Sequence, residues 1–201
     1  FVSYEKRTEY QTSRMHVEID YVDNNVLNTE KFKNWRSEFN NAEFILNKNG
    51  QYICGSEVEK MSKSKYNTQT PDALIEKYGA DTLRIYEMFL GPLEQPKPWD
   101  TQGINGVHNF LKKFWRLIHD DKNIFSISLS KPSKEEYRII NQCIKKVTDE
   151  LERFSFNTVV STLMICINEL TVLKCNKKEI IDKFVILLSP YAPYITEEIW
   201  E

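Results

Sequence analysis

Ile104-Asn-Gly-Val-His-Asn-Phe-Leu-Lys-Lys-Phe-Trp-Arg-Leu-Ile118 puts Ile104, Val107, Leu111, Phe114 and Ile118 at steps of three and four. A helix turning every ~3.6 residues gathers such positions on one face. The pattern recurs downstream. Ile140, Cys143, Ile144, Val147, Leu151 and Phe154 form a second stripe, and Val160, Leu163, Met164, Ile167 and Leu170 a third. Ile180, Ile181, Phe184, Val185 and Leu188 form a fourth, and Pro190 and Pro193 break the chain before a last helix containing Ile195–Trp200. Amphipathic helices joined by short links cannot each bury a face alone, so residues 100–201 are predicted to pack as a bundle.

Upstream, Glu94-Gln-Pro-Lys-Pro-Trp-Asp100 carries two prolines in three positions and is the expected domain boundary, dividing the chain into 1–99 and 100–201. Thr70-Pro-Asp opens a helix that Gly79 ends, and Asp81–Leu90 forms the next, closed by Gly91-Pro92. The first third reads as strands and loops. Met15–Val22 alternates apolar with polar residues, as a half-buried strand does, and Thr29 is the expected cap of a short helix through Trp35. Brief strands at Phe44–Leu46 and Gln51–Cys54 flank an Asn47-Lys-Asn-Gly50 turn, and the polar stretch Gly55–Asn67 is a loop. The expected fold class is mainly α: a small α+β N-terminal portion followed by an α-helical bundle.

Composition excludes more than it names. Hydrophobic residues make up 41% and aromatics 12%, too rich for a disordered chain. Net charge is −2, from 27 basic and 29 acidic residues. The halves are equally balanced, with 13 basic and 15 acidic groups in 1–99 and 14 of each in 100–201. Contact with a nucleic acid must therefore rest on local patches. Cys54, Cys143, Cys166 and Cys175 form no CxxC pair, so no zinc or other bound metal is expected, and buried free thiols in a reducing, cytoplasmic compartment fit best. No apolar run is long enough to span a bilayer, and no basic-then-apolar leader opens the chain. Phe1 opens the chain and Glu201 closes it in a helix-like run, so the expectation is a piece of something longer.

Lys60-Met-Ser-Lys-Ser64 carries the clearest chemistry. Two lysines three apart on a serine-rich loop suit a polyphosphate. Lysine is a compact point charge on a mobile stem, and serine hydroxyls with free amides add neutral donors. The competing reading is an ordinary solvated Lys/Ser loop. On the first bundle helix, Lys112, Lys113 and Arg116 flank Trp115, an arrangement that can hold phosphates and stack a base. A solvated helix face beside a core tryptophan explains the same residues. Arg84 either touches nucleic acid or pairs with a helix-face acid, and His108 and His119 read as surface or cap histidines.

Lys-Met-Ser-Lys-Ser is identical to the second signature of the class I aminoacyl-tRNA synthetases. Pro71-Asp-Ala-Leu-Ile-Glu-Lys-Tyr-Gly-Ala-Asp-Thr-Leu-Arg-Ile-Tyr86 resembles the helix pair that follows it in the subgroup activating Leu, Ile, Val and Met. Glu87-Met-Phe-Leu-Gly-Pro-Leu-Glu94 and Lys97-Pro-Trp-Asp-Thr-Gln-Gly-Ile-Asn-Gly-Val-His108 resemble the bacterial leucyl-tRNA synthetase family. Leu187-Leu-Ser-Pro-Tyr-Ala-Pro-Tyr-Ile-Thr-Glu-Glu-Ile-Trp200 is similar to the end of that family's anticodon-binding bundle. The resemblance runs from about Val58 to Glu201. Residues 16–55 fit an insertion that the leucyl family often carries.

The resemblance implies a ligase that joins leucine to ATP and passes the leucyl group to tRNA(Leu). Lys60, Met61, Ser62, Lys63 and Ser64 would bind ATP, brought as substrate with Mg²⁺ in the full enzyme. Lys63, then Lys60, would serve catalysis, Ser62 and Ser64 would support the closed loop, and Met61 would anchor it by packing. Arg84, Lys112, Lys113, Trp115 and Arg116 would face tRNA. Leucine, ATP and tRNA(Leu) are the implied partners, with no membrane and no DNA. None of His16, His108 or His119 lies in the His-x-Gly-His signature that the family also needs, and no editing domain is present, so the piece alone is expected to be inactive. The alternatives are the isoleucyl, valyl or methionyl relatives and a free-standing tRNA-binding module.

Overall fold

The computed structural model describes residues 1–99 and 101–201, with the side chains of Thr101 and Gln102 left out. Asp100, where the sequence opens the bundle, lies outside the described residues. Two units emerge, Phe1–Thr70 and Pro71–Glu201.

The first unit has little regular structure, because its residues pack rings rather than build ladders. Strands β1 (Val22–Asp23) and β2 (Val26–Leu27) pair antiparallel around Asn24 and Asn25. Both turn residues have positive φ, 48° and 65°, which asparagine tolerates well in tight hairpins. Helix α1 (Thr29–Trp35) follows, and its cap is Asn28 rather than Thr29: the Asn28 side chain accepts the Lys31 N–H at 3.0 Å. Phe32 on α1 is 2% exposed, ringed by Phe1, Trp35, Phe39 and Phe44 at centroid distances of 4.7–6.0 Å. Edge and stacked contacts of this kind stabilise beyond the area they bury.

Two expectations here need correction. Met15–Val22 is not a strand: residues 11–18 are irregular, Ile19–Tyr21 form a 3₁₀ turn, and only Val22 joins a ladder. Alternation describes a half-buried extended segment, but a strand also needs a partner edge. The expected strands near 45 and 53 shrink to single bridges, Ile45 with Val2 and Ile53 with Val26. Their turn forms as read, with Gly50 at φ 74° and the Asn47 side chain accepting from the Asn49 and Gln51 amides.

The second unit is helical: α2 (Pro71–Tyr78), α3 (Ala80–Phe89), α4 (Thr101–Ile118), α5 (Lys134–Glu152), α6 (Phe156–Val172), α7 (Lys178–Leu188) and α8 (Pro193–Trp200). Helices α5 and α6 form a hairpin, α3 packs on α4, α6 and α8, and α7 packs on α5 and α8. The predicted stripes meet in one core in which Val107, Phe114, Ile118, Ile140, Val160, Ile167, Ile180, Phe184 and Leu188 are fully buried. The second stripe stops early, since Leu151 and Phe154 are 40% and 67% exposed. Phe154 lies in the α5–α6 turn at φ 54°, beyond the last helical residue.

Helix α5 opens on a capping box: Ser133 Oγ accepts the Glu136 N–H at 3.2 Å, and Glu136 Oε2 accepts the Ser133 N–H at 2.6 Å. Helix α8 has no cap of its own. Buried Asp81 on α3 supplies one, accepting the Tyr194 and Ile195 N–H groups at 3.2 and 2.7 Å. Cys143, Cys166 and Cys175 are buried free thiols, as read, and burial pushes the Cys175 thiol up to about 12. Packing groups α2 and α3 with the later helices.

Candidate functional site

Lys60–Ser64 lies at the surface of the first unit, on a chain path set by local chemistry. Lys63–Lys65 make one 3₁₀ turn, with the Lys65 and Tyr66 N–H groups donating to the Ser62 and Lys63 carbonyls at 3.0 and 3.2 Å. Tyr66 ends the turn at φ 54°, a left-handed conformation uncommon for a bulky residue. It is held there from three sides. Its ring meets Trp35 edge-on at 4.8 Å, its hydroxyl accepts from Arg36, and its carbonyl accepts the Ile19 N–H at 2.9 Å.

Within the loop, Ser62 Oγ and Ser64 Oγ lie 2.9 Å apart. The Asn67 side chain accepts the Ser62 N–H at 2.8 Å and donates to the Lys60 carbonyl at 3.4 Å. Before the loop, Glu59 contacts His16 at 2.9 Å and Lys65 at 3.1 Å, and Glu57 pairs with Arg14. The His16 and Lys65 hydrogen bonds hold the Glu59 carboxyl below the usual range. Lys60 and Lys63 are exposed and make no ion pair with the described residues. Met61 is 45% exposed.

The loop thus offers two uncommitted ammonium groups and a serine pair on a fixed main chain. That arrangement suits a polyanion. No cluster of three or more His, Cys, Asp or Glu side chains that could hold a metal occurs among the described residues.

The second candidate surface lies on α4. Lys112, Lys113 and Arg116 are exposed, and Lys113 donates to Asn168 Oδ1 at 2.6 Å. Trp115 is half-buried and already partnered: it stacks on His119 at 3.8 Å and its indole N–H donates to Asn123 at 2.7 Å. His119 also meets the Trp115 carbonyl at 2.9 Å, as a residue at the helix end would. His108 is half-buried between α3 and α4, with Nδ1 3.2 Å from the Thr82 hydroxyl. That hydroxyl also donates to the Tyr78 carbonyl at 2.8 Å. Burial, then Lys112, pushes the His108 pKa down. Tyr78, His108, Lys112, Trp115 and Tyr194 line an open groove of about 380 Å³. Arg84 lies apart from these residues and donates to the Pro190 carbonyl at 3.1 Å, pairing with no acid among the described residues.

Sequence reasoning missed Arg36, Tyr66 and Asn67 around the loop, the contact of His16 with Glu59 beside it, and Asp81 under α8. Asn67 alone left a local signal, an amide five residues beyond Ser62 where a turn could use it.

Comparison with known proteins places this geometry. Residues 8–96 match the family described as tRNA synthetases class I (I, L, M and V), and residues 133–201 match the anticodon-binding domain of tRNA ligase. The chain belongs to the class I aminoacyl-tRNA synthetases. Within that class it is similar along its whole length to enzymes named leucine--tRNA ligase. It is 57% identical to that of Cytophaga hutchinsonii over 200 residues, 100% of this chain and 22% of the relative. It is 55% identical to that of Phocaeicola vulgatus and 56% to that of Amoebophilus asiaticus, covering 21% and 22% of their lengths. The chain thus spans about a fifth of the curated relatives it matches. Among solved structures, the ternary complex of Agrobacterium radiobacter K84 agnB2 LeuRS-tRNA-LeuAMS matches with a TM-score of 0.55 and 28% identity, over 70% of this chain and 20% of that one. No described helix is long and apolar enough to cross a membrane.

Proposed function

We propose that this chain supplies the pyrophosphate-stabilising loop and part of the tRNA-binding surface of a leucine--tRNA ligase acting in the cytoplasm. The observation that carries the reading is Lys60-Met-Ser-Lys-Ser64, held on a preformed main chain with both lysines exposed, inside a sequence 57% identical to such an enzyme.

In the first step a leucine carboxylate oxygen attacks the α-phosphorus of ATP. The bond from that phosphorus to the oxygen bridging to the β-phosphate breaks, and pyrophosphate departs with the electron pair. Charge accumulates on the leaving group, and Lys63, with Lys60 beside it, meets that charge from the closed loop. Ser62 and Ser64 keep the loop's shape, and the loop closes and opens around the nucleotide as other lids do. Mg²⁺ accompanies ATP as part of the substrate. The leucyl group then passes to tRNA(Leu), whose phosphates Lys112, Lys113 and Arg116 contact beside Trp115, with Arg84 as a further contact.

Lys63→Ala in the enzyme carrying this segment should slow leucine-dependent pyrophosphate exchange by ~10²–10³-fold, about 3–4 kcal/mol of transition-state stabilisation. An unchanged rate would remove the assignment. Exchange driven by isoleucine, valine or methionine instead would move the chain to a sister enzyme. The 201-residue chain by itself lacks a His-x-Gly-His signature and should not catalyse exchange.

A further inference from the structure

One side chain beyond the signature ties its main chain together. Asn67 Oδ1 accepts from Ser62 N, and Asn67 Nδ2 donates to Lys60 O. These partners settle the orientation of the amide, since a backbone N–H must face its oxygen and a carbonyl its nitrogen. A single planar group therefore fixes two main-chain atoms that bracket Met61, at Lys60 itself and one residue before Lys63. Asn67 is itself placed from below. Its neighbour Tyr66 is gripped by Trp35, Arg36 and the Ile19 amide, so the connection runs from the aromatic cluster through Tyr66 and Asn67 into the loop. The Lys60 and Lys63 side chains have no anchoring ion pair among the described residues, so their starting positions depend on the main chain that Asn67 holds. Exposed lysines lose rotamer freedom when they settle on phosphate, and a fixed main chain lowers that cost.

We propose that Asn67 is a positioning residue for pyrophosphate release, holding the Lys60–Ser62 main chain so that both lysines reach the departing group together. This rests on the reading of Lys60 and Lys63 given above. Asn67 touches no substrate in this role and acts through the lysines.

The test compares the parent enzyme carrying this segment with Lys63→Ala, Asn67→Ala and the double variant. Each is assayed for leucine-dependent pyrophosphate exchange and for single-turnover transfer from purified leucyl-adenylate to tRNA, a step that releases no pyrophosphate. Asn67→Ala should lower the exchange kcat about tenfold, the scale of two lost hydrogen bonds, with transfer at the parent rate. The double variant should lose clearly less than the product of the two single losses, because with Lys63 gone Asn67 has only Lys60 left to position. Independent, multiplying losses would overturn the inference, as would transfer falling in step with exchange or an Asn67→Ala enzyme exchanging at the parent rate. If Lys63→Ala also exchanges at the parent rate, the reading of the loop itself fails first.

Discussion

The two units of this chain are stabilised in opposite ways. Pro71–Glu201 buries whole helix faces, and its buried acids serve as caps: Glu136 with Ser133 at α5, Asp81 under α8. Phe1–Thr70 has two-residue strands, one seven-residue helix and a ring cluster around Phe32, and much of its shape comes from side chains bonding to main chain. The lesson is a division of labour. Where a core fixes the backbone, substitutions should act on stability; where a few hydrogen bonds fix it and the chemistry-bearing side chains point to water, they should act on rate. The loop needs the second kind of structure, because a lid buried in a core could not move.

The sharpest way to break this comparison is in the core. Phe184 on α7 is fully buried with its ring 4.9 Å from Phe114, so Phe184→Ala should cost about 3–5 kcal/mol by denaturant unfolding. A cost under about 1 kcal/mol would mean the helices do not share one core. Asp81→Ala removes the acceptor from the start of α8 and should cost about 1–2 kcal/mol, with amide exchange at Tyr194 and Ile195 accelerating first. Exchange unchanged at those two amides would show that α8 is capped some other way.

Smaller effects probe the surfaces. Replacing Lys112 and Arg116 together by glutamine should lower the salt-dependence slope of tRNA binding by about one to two, as each phosphate contact contributes somewhat under one. An unchanged slope would return these residues to an ordinary solvated face. The smallest effect concerns Glu59. Its depressed pKa means that its contacts with His16 and Lys65 stabilise the fold above the ordinary glutamate value of 4.5 and lose that contribution as pH falls through the lower folded value. The Glu59 carboxyl should titrate below 4.5 by NMR, and His16→Ala should move the midpoint back up. A midpoint unmoved in His16→Ala would deny that contact any role.

What the sequence could be read for follows from the same contrast. Helical stripes are periodic, so the bundle core was legible residue by residue, failing only at Leu151 in the last turn of α5 and at Phe154 just beyond it. The signature was legible because it recurs as a fixed word in a known family. The geometry that makes the word work was not. His16 and Glu59 are 43 residues apart, the Arg36 contact with Tyr66 spans 30, and the positive φ of Tyr66 contradicts its residue type. Met15–Val22 misled for a related reason: alternation records which side chains face inward, not whether a neighbouring strand exists. Ile85 and Tyr86 on α3 are buried in the helical core, a packing that composition cannot express.

The central claim is that the loop acts on chemistry without holding up the fold. Measuring exchange rate and melting temperature on the same preparations of Lys63→Ala and the parent enzyme tests it directly. A rate down by ~10²–10³-fold with an unchanged melting temperature is the result expected of an exposed lysine aimed at a leaving group. A melting temperature that falls along with the rate would contradict it, because Lys63 would then be holding structure rather than stabilising pyrophosphate.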